Sequence, residues 1–274
     1  MASLPSIAIL GTGSMGGAIL AGLTAPSVSV DGRIRVTNRT IEKARPLSSA
    51  AVESFALAET PDANRLAVAG SRLVLIGVKP AMVPDLLREI ADVLEPDAIV
   101  ISVAAGVTTA TMEAIVPGTV LRAMPNTPAV VGRGVTGLAA GSRATAAEAA
   151  LGRALFETVG AVLEVPEDKI DALSTISGSG PAYVFYLIEE LTRTAIGLGF
   201  SAEEAAIMVN GTFFGAAELL VSSGVDPAEL RRRVTSPKGT TEQAIAVLES
   251  ADLKELFDRA TAAALVRAKE LAAG

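Results

Sequence analysis

A glycine-rich turn constrains this chain more than any other segment. It follows a short apolar run, residues 7–10, and carries glycine at positions 11, 13 and 16. Where such a turn joins a strand to a helix, the first glycine permits the tight turn and the second lets the main chain approach a pyrophosphate. The third lets the helix pack closely on the strand, and the first helical N–H groups face the phosphates. The segment therefore predicts dinucleotide binding, with a merely structural turn as the alternative.

The end of the second predicted strand, residues 34–37, bears on which dinucleotide is bound. An NAD site usually has Asp or Glu there to hold the ribose hydroxyls, and that carboxylate would repel a 2′-phosphate. This chain has Asn38, Arg39 and Thr40 instead. The planar guanidinium of Arg39 can bind a phosphate through paired hydrogen bonds. We predict that NADP(H) is preferred over NAD(H); the alternative is that Arg39 is a solvated loop residue.

Two missing residue types narrow the chemistry. The 274 residues include no histidine and no cysteine, which excludes Ser-His-Asp hydrolases, thiolate nucleophiles and metal sites built on those side chains. We therefore predict no metal. The net charge of −7 argues against nucleic acid and anionic membranes as partners. We see no signal peptide and no uninterrupted apolar span, so we predict no membrane partner and a cytoplasmic location.

Strand and helix patterns alternate over the first 165 residues. The predicted strands are 7–10, 34–37, 73–78, 99–103, 119–124 and 161–165, and the predicted helices between them are 41–49, 60–68, 81–94, 108–115 and 144–158. This alternation is typical of a doubly wound parallel sheet that binds ligands along the carboxyl ends of its strands. We predict a Rossmann-like α/β domain over residues 1–165. Asn64, Lys79, Ala105 and Asn126 would lie on or near its binding edge, although each could also be structural.

Strand signals disappear beyond Pro166. The predicted helices are 168–176, 180–198, 201–221, 227–234, 241–250 and 252–273. The two long ones are apolar over much more than one face, and a domain of roughly a hundred residues cannot easily shelter them alone. We predict an all-α domain over residues 166–274 that packs against another copy in a homo-oligomer. The alternative is that the first domain covers these helices within one chain.

Two segments of the helical domain have sequences that indicate a ligand-binding or catalytic role rather than a purely structural one. Residues 174–183 and 234–241 place small polar side chains at predicted helix starts. In the second segment, the hydroxyls of Ser236, Thr240 and Thr241 would converge with free helical N–H groups in a site suited to a carboxylate. Ordinary N-capping is the alternative.

These segments together resemble the pyrroline-5-carboxylate reductases, which reduce a cyclic imine with a nicotinamide cofactor. The resemblance covers essentially the whole chain. It is carried by residues 11–16, 78–80, 104–107, 124–128, 171–173, 177–183 and 234–237. It implies an oxidoreductase that reduces 1-pyrroline-5-carboxylate to L-proline with hydride from NAD(P)H, the final step of proline biosynthesis. It also implies an interlocked homodimer, often assembled into a homodecamer, with an active site completed by the partner subunit.

The resemblance also assigns site residues. The implied cofactor contacts are Gly11, Thr12, Gly13, Ser14, Met15, Gly16, Asn38, Arg39, Asn64, Val78, Lys79, Pro80 and Ala105. The implied substrate contacts are Glu167, Ser236, Gly239, Thr240 and Thr241. A protonated cyclic imine accepts hydride readily, so such an enzyme needs no strong acid and mainly has to align the two reactants. We predict Thr241 as the catalytic hydroxyl beside the imine nitrogen.

The chain departs from the family pattern at two positions, and other functions remain open. Lys238 stands where the family usually has glycine, and Arg233 replaces a neutral residue. The alternative enzyme class is a β-hydroxyacid dehydrogenase or another imine reductase. The hydroxyacid enzymes carry a catalytic lysine on a long helix, whereas residues 177–198 contain no lysine. A non-catalytic NADP-binding protein is a further alternative, which would need no second polar pocket.

Overall fold

The computed structural model describes residues 3–273. The chain divides into two compact units. The first unit runs to Ser179 and includes the chain from Ala264 onward, and the second unit is Gly180–Ala263. Residues 166–179, which the sequence analysis assigns to the helical domain, therefore belong to the first unit by compactness.

A single eight-stranded sheet forms the centre of the first unit. Its strands are β1 (Ile7–Leu10), β2 (Ile34–Asn38), β3 (Val52–Ala56), β4 (Leu73–Ile76), β5 (Ile99–Ser102), β6 (Thr119–Met124), β7 (Gly134–Ala140) and β8 (Gly160–Glu164). Their spatial order is β3-β2-β1-β4-β5-β6-β7-β8. All neighbours from β3 to β6 pair in parallel, whereas β7 is antiparallel to β6 and parallel to β8. The predicted doubly wound α/β fold is confirmed, with two reversed strands added at one edge.

Helices cover both faces of this sheet and make up the second unit. They are α1 (Ser14–Leu23), α2 (Ile41–Ala44), α3 (Ala63–Val68), α4 (Val83–Ile90), α5 (Thr109–Glu113), α6 (Ala146–Glu157), α7 (Ile170–Leu173), α8 (Gly180–Gly197), α9 (Ala202–Ser223), α10 (Pro227–Arg233), α11 (Thr240–Ser250) and α12 (Leu253–Ala273). A π-helical turn, Ser174–Gly178, follows α7 directly. The predicted all-α C-terminal half is confirmed, although the break predicted around residues 177–179 is a helical turn rather than a loop.

The sheet separates two aliphatic clusters. Ile7 and Ile9 of β1 pack into the cluster on one face, which α1 and α6 cover. Ala8 and Leu10 pack into the cluster on the other face, which α3 and α4 cover. Because successive side chains of a strand point to opposite faces, a strand covered on both sides is apolar at every position. Each large side chain buried in this way stabilises the fold by about 1.5–3 kcal/mol.

Two strands were not predicted from the sequence, β3 and β7. The short sheet-edge strand β3 reads Val-Glu-Ser-Phe-Ala, which is too short and too polar to show a clear period. The strand β7, Gly-Val-Thr-Gly-Leu-Ala-Ala, has glycine or alanine at four of its seven positions. A Cβ on Gly137 would lie 2.7 Å from Leu173 Cδ2, which leaves no room for the branched side chains that mark a strand.

The second unit has well-defined helix ends but little internal core. Ser201 and Glu204 form a capping box at the start of α9, and Gly224 ends that helix in the left-handed conformation. Ala205 and Val209 of α9 are buried, whereas Phe214 is 73% exposed and Val221 is 77% exposed in the single chain. The local helix signals are therefore satisfied, and most of the apolar surface is left uncovered.

One helix of the described chain, α9, is long and apolar enough to cross a membrane by length and composition alone. It carries Glu203, Glu204 and Glu218 within its 22 residues. Three acidic side chains in one span would be costly in a bilayer core. Burial of this helix against protein fits its composition better.

Candidate functional site

The glycine turn adopts the geometry that its sequence predicts. Gly11 has a φ of +85°, and its main-chain N–H donates to the Thr37 carbonyl at 3.2 Å. A Cβ at Gly11 would lie 2.8 Å from Val78 Cγ1. Glycine is therefore required at position 11 both by the backbone conformation and by the close approach of Val78, in the loop that follows β4.

The second and third glycines have different surroundings. A Cβ built on Gly13 meets nothing within 4 Å, whereas one on Gly16 would lie 3.1 Å from the Gly11 carbonyl oxygen and 3.4 Å from Ile9 Cγ2. Gly13 is the N-cap of α1, no side chain caps this helix, and its first turn has no acidic residue. The space in front of Gly13 and the uncapped N–H groups fit a phosphate, and Gly16 serves close packing of α1.

A cavity of about 780 Å³ opens at the carboxyl ends of β1, β2 and β4. Its lining includes seven of the residues predicted to contact cofactor: Gly11, Gly13, Asn38, Arg39, Asn64, Val78 and Lys79. The remaining predicted contacts are not part of the lining: Thr12, Ser14, Met15 and Gly16 lie in the turn and in α1, Pro80 opens a short 3₁₀ helix, and Ala105 follows β5. The cavity is large enough for an extended dinucleotide fragment.

A chain of hydrogen bonds connects the glycine turn to the cavity wall. The Gly11 N–H donates to Thr37 Oγ1 at 3.2 Å, and this hydroxyl donates to Asn64 Oδ1 at 2.9 Å. Asn64 Nδ2 in turn donates to the Glu89 carboxylate at 3.1 Å. Thr37 and Glu89 were not singled out from the sequence. Thr37 is the last residue but one of β2, so its place at the binding edge could have suggested it.

Three cations line the same cavity. Arg39 and Lys79 were predicted from the sequence, and Lys43 of α2, four residues after Arg39, was not. None of the three forms an ion pair with any of residues 3–273. In a chain of net charge −7, unpaired cations grouped at one cavity favour an anionic ligand.

The side chain of Asn38 gives a further indication that the cavity holds a ligand. Its side chain is buried at the cavity wall, and its Nδ2 has no hydrogen-bond acceptor in the described part of the chain. Buried amide groups are almost always paired, because leaving one unpaired costs about 1–3 kcal/mol. A ribose or phosphate oxygen is an acceptor of the kind this group lacks. The residues present therefore fit a phosphorylated dinucleotide.

Glu167 opens the 3₁₀ helix that follows β8 and contacts the start of α5, the helix that comes after the loop containing Ala105. The Thr109 N–H donates to Glu167 Oε1 at 2.6 Å, and the Thr109 hydroxyl donates to Glu167 Oε2. The side chain of Glu167 remains 26% exposed. Two segments far apart in sequence, one predicted to contact cofactor and one predicted to contact substrate, are therefore adjacent within the first unit.

The motif of residues 124–128 has a structural partner in the π-helical turn. Asn126 Nδ2 donates to the Ser177 carbonyl at 2.8 Å, and Asn126 Oδ1 accepts from the Val135 N–H at 2.8 Å. A π turn shifts the register of the helical hydrogen bonds, so a carbonyl becomes free to accept from elsewhere. Asn126 thus holds the turn through which the chain enters α8.

The predicted carboxylate site lies in the second unit, between α10 and α11. Gly239 is the N-cap of α11, and no side chain caps the helix. N-capping by Ser or Thr, the alternative interpretation of this segment, is therefore wrong for α11. The hydroxyls of Ser236, Thr240 and Thr241 are exposed and form no hydrogen bond among the described residues. They remain available together with the free N–H groups of the first helical turn.

The two departures from the family pattern have distinct structures. Lys238 has a φ of +61°, a conformation that favours glycine, and its N–H donates to Glu242 Oε2 at 2.8 Å. The loop thus keeps a glycine-like shape while carrying a lysine. Arg233 donates from Nε to Glu229 Oε1 at 2.9 Å. Hydrogen bonds from Arg232 and Arg233 lower the pKa of Glu229 to about 2, so Arg233 is already paired.

Two family models match this chain. One, described as pyrroline-5-carboxylate reductase dimerisation, matches residues 167–271. The other, described as NADP oxidoreductase, coenzyme F420-dependent, matches residues 6–106. The first covers the helical half, and the second covers the glycine turn and most of the cavity.

Individual relatives match along nearly the full length. The pyrroline-5-carboxylate reductase of Pseudomonas aeruginosa is 38% identical over 273 residues, which are 98% of this chain and 98% of that protein. A solved pyrroline-5-carboxylate reductase from Coxiella burnetii is 38% identical with a TM-score of 0.88, and the match covers 97% of both chains. A Plasmodium falciparum pyrroline carboxylate reductase solved with NADP bound is 23% identical with a TM-score of 0.81 over 97% of this chain and 98% of that one, so it shares the fold.

Proposed function

This chain belongs to the pyrroline-5-carboxylate reductase family, and we propose that its two units divide the tasks of one reaction, cofactor binding and substrate binding. It is an oxidoreductase that reduces 1-pyrroline-5-carboxylate to L-proline, the final step of proline biosynthesis. Its cofactor is NADP(H), with NAD(H) as an alternative, and the reduced form is the hydride donor. The resemblance stated from the sequence motifs is confirmed at the level of the family.

The first unit binds the cofactor in the cavity at the carboxyl ends of β1, β2 and β4. The main chain at Gly13 and the start of α1 would hold the pyrophosphate, and Arg39 and Lys43 would bind the 2′-phosphate. Support comes from the open space at Gly13 and from the unpaired cations of the cavity. The further cofactor contacts are Thr12, Ser14, Met15, Gly16, Asn38, Asn64, Val78, Lys79, Pro80 and Ala105.

Replacing Arg39 by alanine tests the preference for the phosphorylated cofactor. Loss of one phosphate contact should raise KM for NADPH about tenfold or more and leave KM for NADH within about twofold. Steady-state kinetics with both cofactors give the two constants. Arg33→Ala is the matched control because Arg33 is exposed just before β2, at the opposite end of that strand. Equal losses with the two cofactors would reject the role of Arg39.

The second unit holds the substrate carboxylate at the start of α11. The observation that carries this proposal is a helix N-terminus capped by glycine, beside three hydroxyls that no part of the described chain engages. Ser236, Gly239 and Thr240 bind the carboxylate, and Thr241 lies at the imine nitrogen. Glu167 accepts a hydrogen bond from the protonated imine N–H. We propose 1–165 as the cofactor-binding domain and 166–274 as the dimerisation and substrate-binding domain, a division by task in which Glu167 counts with the substrate residues although it belongs to the first compact unit.

The reaction asks little of the protein beyond alignment. The cofactor supplies a hydride to the imine carbon, and the proton already on the nitrogen stays there, which gives the secondary amine of proline. This chain binds the carboxylate, orients the ring, excludes water and holds the imine proton. A protein without histidine can perform this chemistry, because no strong acid is required.

Thr241→Ala and Thr241→Ser test the substrate site. Losing the hydroxyl should lower kcat about 100-fold, whereas serine should restore most of it. The assay follows oxidation of NADPH by 1-pyrroline-5-carboxylate, with a 3-hydroxy acid plus NADP as the control reaction. Turnover only in the control would favour the hydroxyacid dehydrogenase alternative. No turnover in either would favour a non-catalytic NADP-binding protein. Unchanged turnover in Thr241→Ala would reject its catalytic role.

The chain forms a homo-oligomer through its dimerisation domain. We propose a homodimer with an active site shared between subunits, further assembled into a homodecamer, in the cytoplasm. The exposed apolar side chains of α9 support a partner of the same kind, since the described residues 3–273 leave Phe214 and Val221 largely uncovered.

A further inference from the structure

Arg122 is a buried cation that the sequence analysis did not single out. It lies on β6 opposite Ser102, the last residue of β5, and is 3% exposed. Its Nη2 contacts Asp171 Oδ1 at 2.6 Å, and its Nη1 lies 3.7 Å from Glu167 Oε1. Burying a guanidinium is costly unless carboxylates accompany it. The burial of Arg122 at this position therefore needs a structural or functional explanation.

Both carboxylates lie on the segment that leads from the sheet into the helical half of the chain. Glu167 opens a short 3₁₀ helix and Asp171 lies in α7, four residues later, so the two face the same side. Arg122 bridges them from β6. Thr109 fixes Glu167 from another direction, through its N–H at 2.6 Å and its hydroxyl. Glu167 is thus held by β6 and by the start of α5 together.

We propose that Arg122 and Thr109 are positioning residues for Glu167. They fix its carboxylate at the start of α5, the helix that follows the Ala105 loop, in the orientation that accepts the imine N–H. This inference rests on the proposed substrate contact of Glu167. Thr109 at the start of α5 donates to both oxygens of this carboxylate, and Arg122 of β6 lies 3.7 Å from one of them, so the carboxylate is already held in place when the ring binds. The ring is then aligned without loss of side-chain freedom at that step.

The chain offers a matched control for Arg122. Arg72 also lies between two carboxylates, with Nε 3.1 Å from Asp97 Oδ2 and Nη2 3.9 Å from Glu148 Oε1. Each of the two arginines has one buried nitrogen without a partner in the described chain, Arg122 Nε and Arg72 Nη1. Arg72 immediately precedes β4, at the amino end of the parallel strands and therefore at the opposite edge from the site.

The test compares Arg122→Lys, Arg72→Lys and Thr109→Val in the full-length enzyme. One ammonium cannot reach both carboxylates, and valine removes only the hydroxyl contact. We expect Arg122→Lys and Thr109→Val to lower kcat/KM for 1-pyrroline-5-carboxylate about tenfold, with KM for NADPH within about twofold of wild type. Arg72→Lys should leave both constants within about twofold. Thermal melting and circular dichroism establish whether each variant is folded. If Arg122→Lys does not fold, the result for Thr109→Val decides the test.

A double-mutant cycle with Glu167→Gln separates positioning from support of the fold. Because Arg122 acts through Glu167, Arg122→Lys should lower kcat/KM no further than about twofold in the Glu167→Gln background. Independent, multiplicative losses would overturn the proposal, as would equal losses in Arg72→Lys. Glu167→Gln with wild-type kcat/KM would reject the contact between Glu167 and substrate, and the positioning role with it. Failure of the proposed function itself is a different result, namely no NADPH oxidation by the wild-type enzyme.

Discussion

The two units of this chain differ in how far they bury their apolar residues. In the first unit, all four residues of β1 are buried, and helices cover both faces of the sheet. In the second unit, the 22-residue helix α9 buries only Ala205 and Val209 in the single chain. The first unit has a complete core of its own, whereas the second has ordered helices that still lack a covering surface.

Local structure is equally well specified in both units, so the difference lies in packing. Each unit has a complete capping box, Thr145 with Glu148 at α6 and Ser201 with Glu204 at α9. The boxes satisfy the first N–H groups of their helices without help from tertiary contacts. A homo-oligomer resolves the contrast, because the apolar faces of the second unit can cover each other.

The largest expected effect comes from placing a charge on the uncovered surface. Phe214 is 73% exposed in the single chain, and Phe214→Asp should weaken self-association about 100-fold or more, equivalent to ~3 kcal/mol. Light scattering at decreasing protein concentration measures the association. Leu66→Asp is the control, since Leu66 is also apolar and 50% exposed but belongs to the first unit. Equal effects of the two substitutions would remove the contrast between the units.

A smaller effect separates binding from packing within the first unit. A Cβ at Gly13 meets no atom of the described residues within 4 Å, whereas one at Gly16 would lie 3.1 Å from the Gly11 carbonyl oxygen. Gly13→Ala should therefore leave the free energy of unfolding nearly unchanged and weaken NADPH binding about tenfold or more. Gly16→Ala should lower the free energy of unfolding by about 1–2 kcal/mol. Urea titration and cofactor titration give the two quantities. A Gly13→Ala protein that binds NADPH normally would contradict the phosphate position.

The sequence specified the first unit more fully than the second because buried strands leave a strong local signal. The runs at β1 and β4 are apolar at every position and β5 is apolar at all but its last, Ser102, and their pattern alone predicts a doubly wound sheet. The strand β7 escaped prediction because Leu173, distant in sequence, demands glycine at position 137. No local pattern reports such a requirement.

The residues of the candidate site also differ in how far the sequence predicts them. The turn residues Gly11, Gly13 and Gly16 follow from main-chain geometry, so their spacing predicts them. The bridge made by Arg122 was missed, because an arginine inside an apolar strand gives no sign of which carboxylates will reach it. Lys238 is intermediate. The family pattern singles it out, and only the backbone shows that the loop keeps a glycine-like φ of +61°.

The smallest expected effect compares the two capping boxes as the pH falls. Hydrogen bonds from the Thr145 N–H and hydroxyl lower the pKa of Glu148, and those from Ser201 lower the pKa of Glu204, each from an ordinary value of 4.5. A carboxylate with a lowered folded-state pKa stabilises the fold above its unfolded pKa. It loses that contribution as the pH falls through the folded value. Glu148→Gln and Glu204→Gln should therefore differ from wild type at pH 7 and approach it as the pH falls through the lowered folded-state pKa.

Glu148 should show the larger difference of the two, about 0.5 kcal/mol at pH 7. The Thr119 hydroxyl on β6 also donates to Glu148, at 2.9 Å, so this box joins a helix to the sheet, whereas the Glu204 box involves α9 and its own cap alone. Chemical denaturation at several pH values measures both differences. A larger loss of stability in Glu204→Gln would contradict this expectation. It would mean that local caps stabilise the helices of the second unit, which lacks a core, more than they stabilise those of the first.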